Sequence, residues 1–200
     1  MSQRHHEQLR QRIAQEAARI LAEEGGRDFL AAKQKARDRL GIAPRAGMPS
    51  NIEVEEALRL HQRLFGADRH ARHLRRMREA AAQAMRLLAP FSPRLSGPVL
   101  TGTAASHSDI TLHLLGALPE EVAIFLMDQG IPHETGERRL RMSSREEAEP
   151  FPVLRFLAED LRFELVLFPE RRSHQAPLSP VDGRPEARAT LREVEALLAE

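Results

Sequence analysis

The chain has 200 residues, 42% hydrophobic and 30% charged, which suits one globular domain or two small ones and excludes global disorder. It has 0 cysteines, which rules out disulfides, thiol nucleophiles and cysteine-bound zinc, and 0 tryptophans and 0 tyrosines, so platforms for stacking bases or sugars are scarce. The net charge of +1 excludes a polycation but hides an asymmetry: residues 1–90 sum to +7 and residues 91–200 to −6.

The first 90 residues read at helical spacing. Leu9, Ile13, Ala17 and Ile20/Leu21 recur every three or four positions, and Gly25-Gly26 then breaks the pattern. Phe29, Ala32/Lys33, Ala36 and Leu40 predict a second helix closed by Gly41. Pro44, Gly47 and Pro49 mark a loop. Ser50-Asn51-Ile52-Glu53 has the spacing of a reciprocal capping box, which predicts a third helix with Val54, Leu58 and Phe65 on one side and a stop at Gly66. Leu74, Met77, Ala81, Ala84, Met85 and Leu88 outline a fourth helix, ended by Pro90 and Pro93.

The remainder reads largely at strand spacing. Gly97 to Gly102 is expected to be a short strand entering a turn. Asp109 to Leu115 alternates, with Ile110, Leu112 and Leu114 on one face and Asp109, Thr111 and His113 on the other. Pro119-Glu120-Glu121 opens a helix that runs to Gly130, since proline suits a first helical turn and acids favour its positive end. Residues 131–142 read as a polar edge strand. Val153–Leu157 and Leu161–Phe168 read as two strands around a turn at Glu159-Asp160, and Pro185–Leu198 as a closing helix.

Leu100-Thr101-Gly102-Thr103, followed by Ser108-Asp109-Ile110-Thr111-Leu112, resembles the nucleotidyltransferase superfamily, which includes minimal nucleotidyltransferases and DNA polymerase beta. The resemblance covers roughly residues 70–170. It implies a mixed-sheet domain in which two acids at i and i+2 of one strand, with a third on a neighbouring strand, hold Mg²⁺ ions that align a nucleoside triphosphate. Carried over by position, Gly102, Thr103 and Ser108 would contact the nucleotide. Asp109 would be the first acid and Glu164 the third, both as catalytic and metal-binding residues. The second acid is replaced by Thr111, and the interval from Gly102 to Asp109 is shorter than the family's. Losing a carboxylate weakens a site meant for dications. Glu164 beside Arg155 and Arg162 also fits a plain cross-strand ion pair.

Other motifs carry less. Gly97 to Thr103 lacks the lysine of a phosphate-binding P-loop. Asp109 and His113 are separated by about 13 Å on an extended strand, too far to share one ion, so His107 and His113 read as solvated or capping residues. Arg69, Arg72, Arg75 and Arg76 crowd one stretch of the fourth helix, which suits either a solvated face paired with acids of the back half or a nucleic-acid contact.

The expectation is an α+β protein: a helical region over 1–68, then a nucleotidyltransferase-like mixed-sheet domain with flanking helices over 69–200. The first functional expectation is a nucleotide-binding or protein-interaction role with weak or absent transfer. The alternatives are an active Mg²⁺-dependent transferase and a nucleic-acid-binding adaptor. No membrane segment is expected, because no run of about 18 apolar residues occurs. The charged N-terminus has no apolar signal core, so a cytoplasmic location is expected.

Overall fold

The computed structural model describes residues 3–24, 28–43, 47–64 and 67–199, and within them the chain is α+β, with seven helices and one five-stranded mixed sheet. The expected break at Gly25-Gly26, the loop residue Pro44, and Phe65 with the Gly66 stop lie outside the described residues. The chain divides into two compact units. One is Met1–Arg72 with Thr103–Ser108 and Pro180–Asp182; the other is His73–Gly102 with Asp109–Ser179 and Gly183–Glu200.

In the first unit, α1 (Gln3–Glu24), α2 (Phe29–Arg39) and α3 (Asn51–Leu64) bury one apolar cluster. Ile13, Ala17, Ile20 and Leu21 of α1 meet Ala32 and Ala36 of α2 and Val54 and Leu58 of α3. Three of these termini have a local chemical reason. The Asp28 carboxylate accepts from the Ala31 N–H at 2.9 Å and starts α2. At its other end, Gly41 takes φ +61°, Gly41 N–H donates to Asp38 O and Ile42 N–H to Arg37 O. That bond pair satisfies the last carbonyls of the helix and needs the left-handed residue that glycine supplies. The Ser50–Glu53 box is present: Glu53 N–H donates to Ser50 Oγ at 3.2 Å, and Ser50 N–H donates back to Glu53 Oε2 at 2.8 Å.

The second unit holds the sheet. Its elements are β1 (Pro93–Ser96), α5 (Pro98–Thr101), β2 (Ile110–Leu115), α6 (Pro119–Asp128), β3 (Glu134–Leu140), β4 (Glu149–Ala158), β5 (Leu161–Phe168) and α7 (Leu191–Ala199). Helix α4 (Ala67–Leu87) contributes its residues from His73 onward. The strand order is β1-β2-β5-β4-β3, with β2 and β5 parallel and every other pair antiparallel. Pairing β2 with β5 in parallel requires a long connection, and α6, β3 and β4 fill it.

One sheet face is apolar: Leu95, Ile110, Leu112, Leu114, Phe163, Leu165 and Leu167 are all buried. Ala80 and Ala84 of α4, Leu88 just after it, Leu126 of α6, and Phe156, Leu161 and Phe163 line one cleft of about 320 Å³, so both helices lie on this face. The other face mixes a small apolar cluster, Leu140, Phe151, Val153, Val166 and Phe168, with a polar row described below.

Two expectations are corrected. The strand expected over Gly97–Gly102 lies earlier, at Pro93–Ser96. Gly97 turns the chain at φ +73°, and Pro98, with its fixed φ, starts the single turn of α5 instead. The closing helix begins at Leu191 rather than Pro185. Before it the chain runs past β1, where Leu95 N–H donates to Ala189 O and Ala189 N–H to Leu95 O, each at 2.9 Å. The helix start is another capping box, with Thr190 N–H donating to Glu193 Oε2 at 2.7 Å.

Candidate functional site

Strand registry assembles a polar row across the second unit. Ser96 is the register partner of Thr111, Thr111 of Glu164, Glu164 of Arg155, and Arg155 of Glu134. Because alternate side chains share a face, all five project from the same side of the sheet. Asp109 precedes β2 by one residue and Arg162 precedes Glu164 by two. The Arg162 guanidinium reaches Asp109, Nε to Oδ1 2.9 Å.

Glu164 is the centre of the row. Its side chain is 7% exposed. Oε2 accepts from Arg138 Nη1 at 2.7 Å, and Oε1 accepts from Arg155 Nη2 at 3.0 Å and Nε at 3.2 Å. A buried carboxylate is costly unless its oxygens are hydrogen-bonded and its charge is paired, and two arginines do both. Arg155 can lie flat across the sheet because position 136 on β3 is glycine. A Cβ there would stand 2.8 Å from Arg155 Nη1.

These contacts test whether the site suits divalent cations. The oxygens of Glu164 are held by guanidinium donors, an oxygen of Asp109 is paired with Arg162, and the position between the two acids is the buried neutral hydroxyl of Thr111. Three arginines thus compensate two carboxylates along this row. The donor set does not fit a pair of dications. Among the described residues, no group of three or more His, Asp or Glu side chains could hold a metal ion.

The other residues named from sequence divide between the units. Gly102 belongs with Asp109 and Glu164 in the second, and Thr103 and Ser108 belong to the first. Gly102 closes α5 at φ +84°, and its N–H donates to Pro98 O at 2.9 Å, so that amide is committed within the turn. The carbonyl end of α5 is also capped: Arg78 donates from Nε to Val99 O at 3.1 Å and from Nη2 to Leu100 O at 3.2 Å. Ser108 Oγ accepts from Ala105 N–H at 2.9 Å in a local turn, and Thr103 O accepts from Gln62 Nε2 at 3.1 Å.

No family model, curated protein or solved structure matches the chain. The site therefore rests on its own geometry.

The four arginines of α4 differ in their partners. Arg76 donates to Asp160 Oδ2 at 2.9 Å and to Glu159 Oε2 at 3.0 Å, and this guanidinium holds the Asp160 carboxyl below its ordinary value. Arg75 donates to Glu79 at 3.1 Å, and Arg72 Nε to Asp68 O at 3.2 Å. Arg69 is exposed. Acids thus offset two of the four charges, one pair being with the Glu159-Asp160 turn of the acidic half.

His113, expected to be solvated or capping, is instead 1% exposed. Its Nδ1 accepts from Arg188 Nε at 3.0 Å, and its ring lies 4.8 Å from Phe168. Arginine only donates, so Nδ1 carries no proton and the neutral imidazole holds its hydrogen on Nε2. Arg188 also donates to Ser173 O at 3.0 Å and stacks 4.4 Å from the Phe168 ring centre. Burial pushes this guanidinium down to about 10, with Glu186 acting in the opposite direction.

Sequence reasoning missed Arg138 and Arg188. Arg138 approaches Glu164 across an intervening strand, which only sheet registry reveals. The signal for the chain path around Arg188 was Thr190-x-x-Glu193, a capping spacing that moves the helix start past residue 188.

Proposed function

We propose that the chain is a nucleotidyltransferase-like protein that binds a nucleotide on the polar face of its sheet and carries out little or no nucleotidyl transfer. The observation that supports this reading is the register of β2 and β5. Thr111 and Glu164 are side by side on parallel neighbouring strands, with Asp109 two residues before Thr111. Those are the relative positions the resemblance requires of its three acids. The weakness of transfer follows from what fills them: a hydroxyl in the middle position and guanidinium groups on the flanking carboxylates. Two-metal alignment of a triphosphate needs open carboxylate oxygens, and here arginines take them.

The nucleic-acid reading has less support, since Arg75 and Arg76 already face acids.

The test is thermal unfolding with each nucleoside triphosphate, with and without Mg²⁺. A ligand bound only by the folded state stabilises it by about 2.7 kcal/mol at a hundred times its Kd. A raised midpoint with at least one triphosphate, together with no pyrophosphate release, is expected. No shift with any nucleotide refutes nucleotide binding. Mg²⁺-dependent transfer that is lost in Asp109→Ala refutes the claim that transfer is absent.

A further inference from the structure

Resting on the nucleotide-binding reading, we infer that Arg138 and Arg155, both anchored on Glu164, form a polyphosphate-binding pair that works without a metal ion. Each guanidinium carries five N–H donors in a fixed fork, suited to bidentate contact with phosphate. Arg138 spends one group on Glu164 and Arg155 spends two. Among the described residues, no acceptor other than Glu164 meets either arginine. Their side chains are 22% and 43% exposed, so the unspent donors are reachable from solvent.

The pair is built rather than incidental. Two guanidinium charges share one buried carboxylate, Glu164, while the exposed Glu134 stands beside Arg155 in the register. Glu164 fixes both forks from below, which removes part of the ordering cost that a free surface arginine meets on binding. Gly136 leaves open the space that Arg155 Nη1 occupies, and any side chain there would push the guanidinium aside. The nearby Asp109 carboxylate is neutralised by Arg162, so it does not repel an incoming anion in full.

The sign of the metal effect separates this site from a metal-dependent one. A dication at Glu164 would have to displace both arginines. Mg²⁺ bound to the triphosphate instead lowers the ligand's negative charge and weakens its attraction to two cations. Affinity is therefore highest in the presence of a chelator.

The experiment is isothermal titration of the full chain with ATP and with inorganic tripolyphosphate, each in EDTA and in excess Mg²⁺. The variants are Arg155→Gln, Arg138→Gln and Gly136→Ala. Arg139→Gln, on the opposite face of β3, is the control. Circular dichroism verifies that each variant folds. Both ligands are expected to bind in EDTA, with affinity lowered about tenfold or more in Arg155→Gln and Arg138→Gln, as for loss of a charge-assisted bond. Gly136→Ala is expected to weaken binding, and Arg139→Gln to leave it unchanged. ATP binding that requires Mg²⁺, or that survives both arginine substitutions, overturns the arginine pair while leaving nucleotide binding intact. Tripolyphosphate binding with no preference for ATP supports the pair and overturns the nucleotide reading. Failure of both ligands under both conditions overturns both.

Discussion

Replacing Glu164 with glutamine is the most direct perturbation of the polar row. The change is isosteric and removes one charge. Glutamine offers an amide oxygen to one arginine and turns an NH₂ group toward the other, so a donor meets a donor. Leaving a buried charge without its partner costs roughly 3–5 kcal/mol. Here the stranded charges are arginines that can partly turn to water. Arg155, 43% exposed, behaves more like a surface pair at roughly 0.2–1 kcal/mol, whereas Arg138 at 22% has less relief. The expected loss is therefore about 2–3 kcal/mol, most of it on the Arg138 side. Urea unfolding measures it, read by far-ultraviolet circular dichroism because the chain has no tryptophan or tyrosine. The midpoint should fall with an unchanged slope. Arg138→Gln added to Glu164→Gln should cost less than the two single losses combined, since the arginine no longer has a charge partner to lose. A Glu164→Gln chain within about 0.5 kcal/mol of the parent would show that the carboxylate does not hold the two arginines as described.

Ser50→Ala removes the acceptor for Glu53 N–H at the start of α3 and should cost about 1 kcal/mol by urea unfolding; an unchanged midpoint refutes the cap's contribution. Thr111→Asp puts a carboxylate on a buried position registered with Glu164 and should destabilise by about 3 kcal/mol. Mg²⁺ should not restore that loss, and rescue by Mg²⁺ would show that the row accepts a metal ion after all. Acid should weaken the first unit through Glu16 and Glu53, whose folded carboxyls lie below the ordinary 4.5. The hydrogen bond from Arg19 holds Glu16 down; for Glu53, burial pushes upward and the Ser50 backbone and hydroxyl bonds outweigh it. In both cases the unfolded chain takes up protons first, so stability is fully present above the unfolded pKa and is lost as pH falls through the folded values. Urea midpoints at pH 5.5 and pH 3 measure this, and an equal midpoint at both refutes it.

Much of the fold was legible because period and chemistry agreed. The alternation of β2, the apolar spacing of α1 to α4 and the Ser50–Glu53 box each point to one local structure. Parity within residues 161–168 sets Glu164 opposite Phe163 and Leu165, but its place beside Thr111 comes from the register of β2 and β5. The identity of the neighbouring strand was not legible, because nothing in residues 161–168 says that β5 lies parallel to β2. Arg138 was hidden for a sharper reason: a slip of one residue in the β3 register would send its side chain to the other face. The closing helix expected from Pro185 starts instead at Leu191. The paired bonds between Leu95 and Ala189 hold that stretch extended, and the helix waits for Thr190. His113 looked polar enough for solvent, and only the later return of Arg188 buries it.

The bond from Ser96 to the chain's last quarter also sets an order of events during synthesis. The Ser96 hydroxyl is fully buried and donates to Ala187 O at 2.9 Å, with Glu186 Oε2 at 3.1 Å as the alternative acceptor. Both partners are 90 or more residues downstream. At ribosomal rates of about 5–20 residues per second, they emerge about 5–20 s after Ser96. Throughout that interval β1 lacks the backbone partner at Ala189, and its hydroxyl must remain hydrated. The apolar cluster of α1 to α3 can consolidate as those helices are made, whereas the β1 edge is covered only when residues 186–189 arrive. A nascent chain stalled before them would expose an unfinished sheet edge, the kind of surface that chaperones bind.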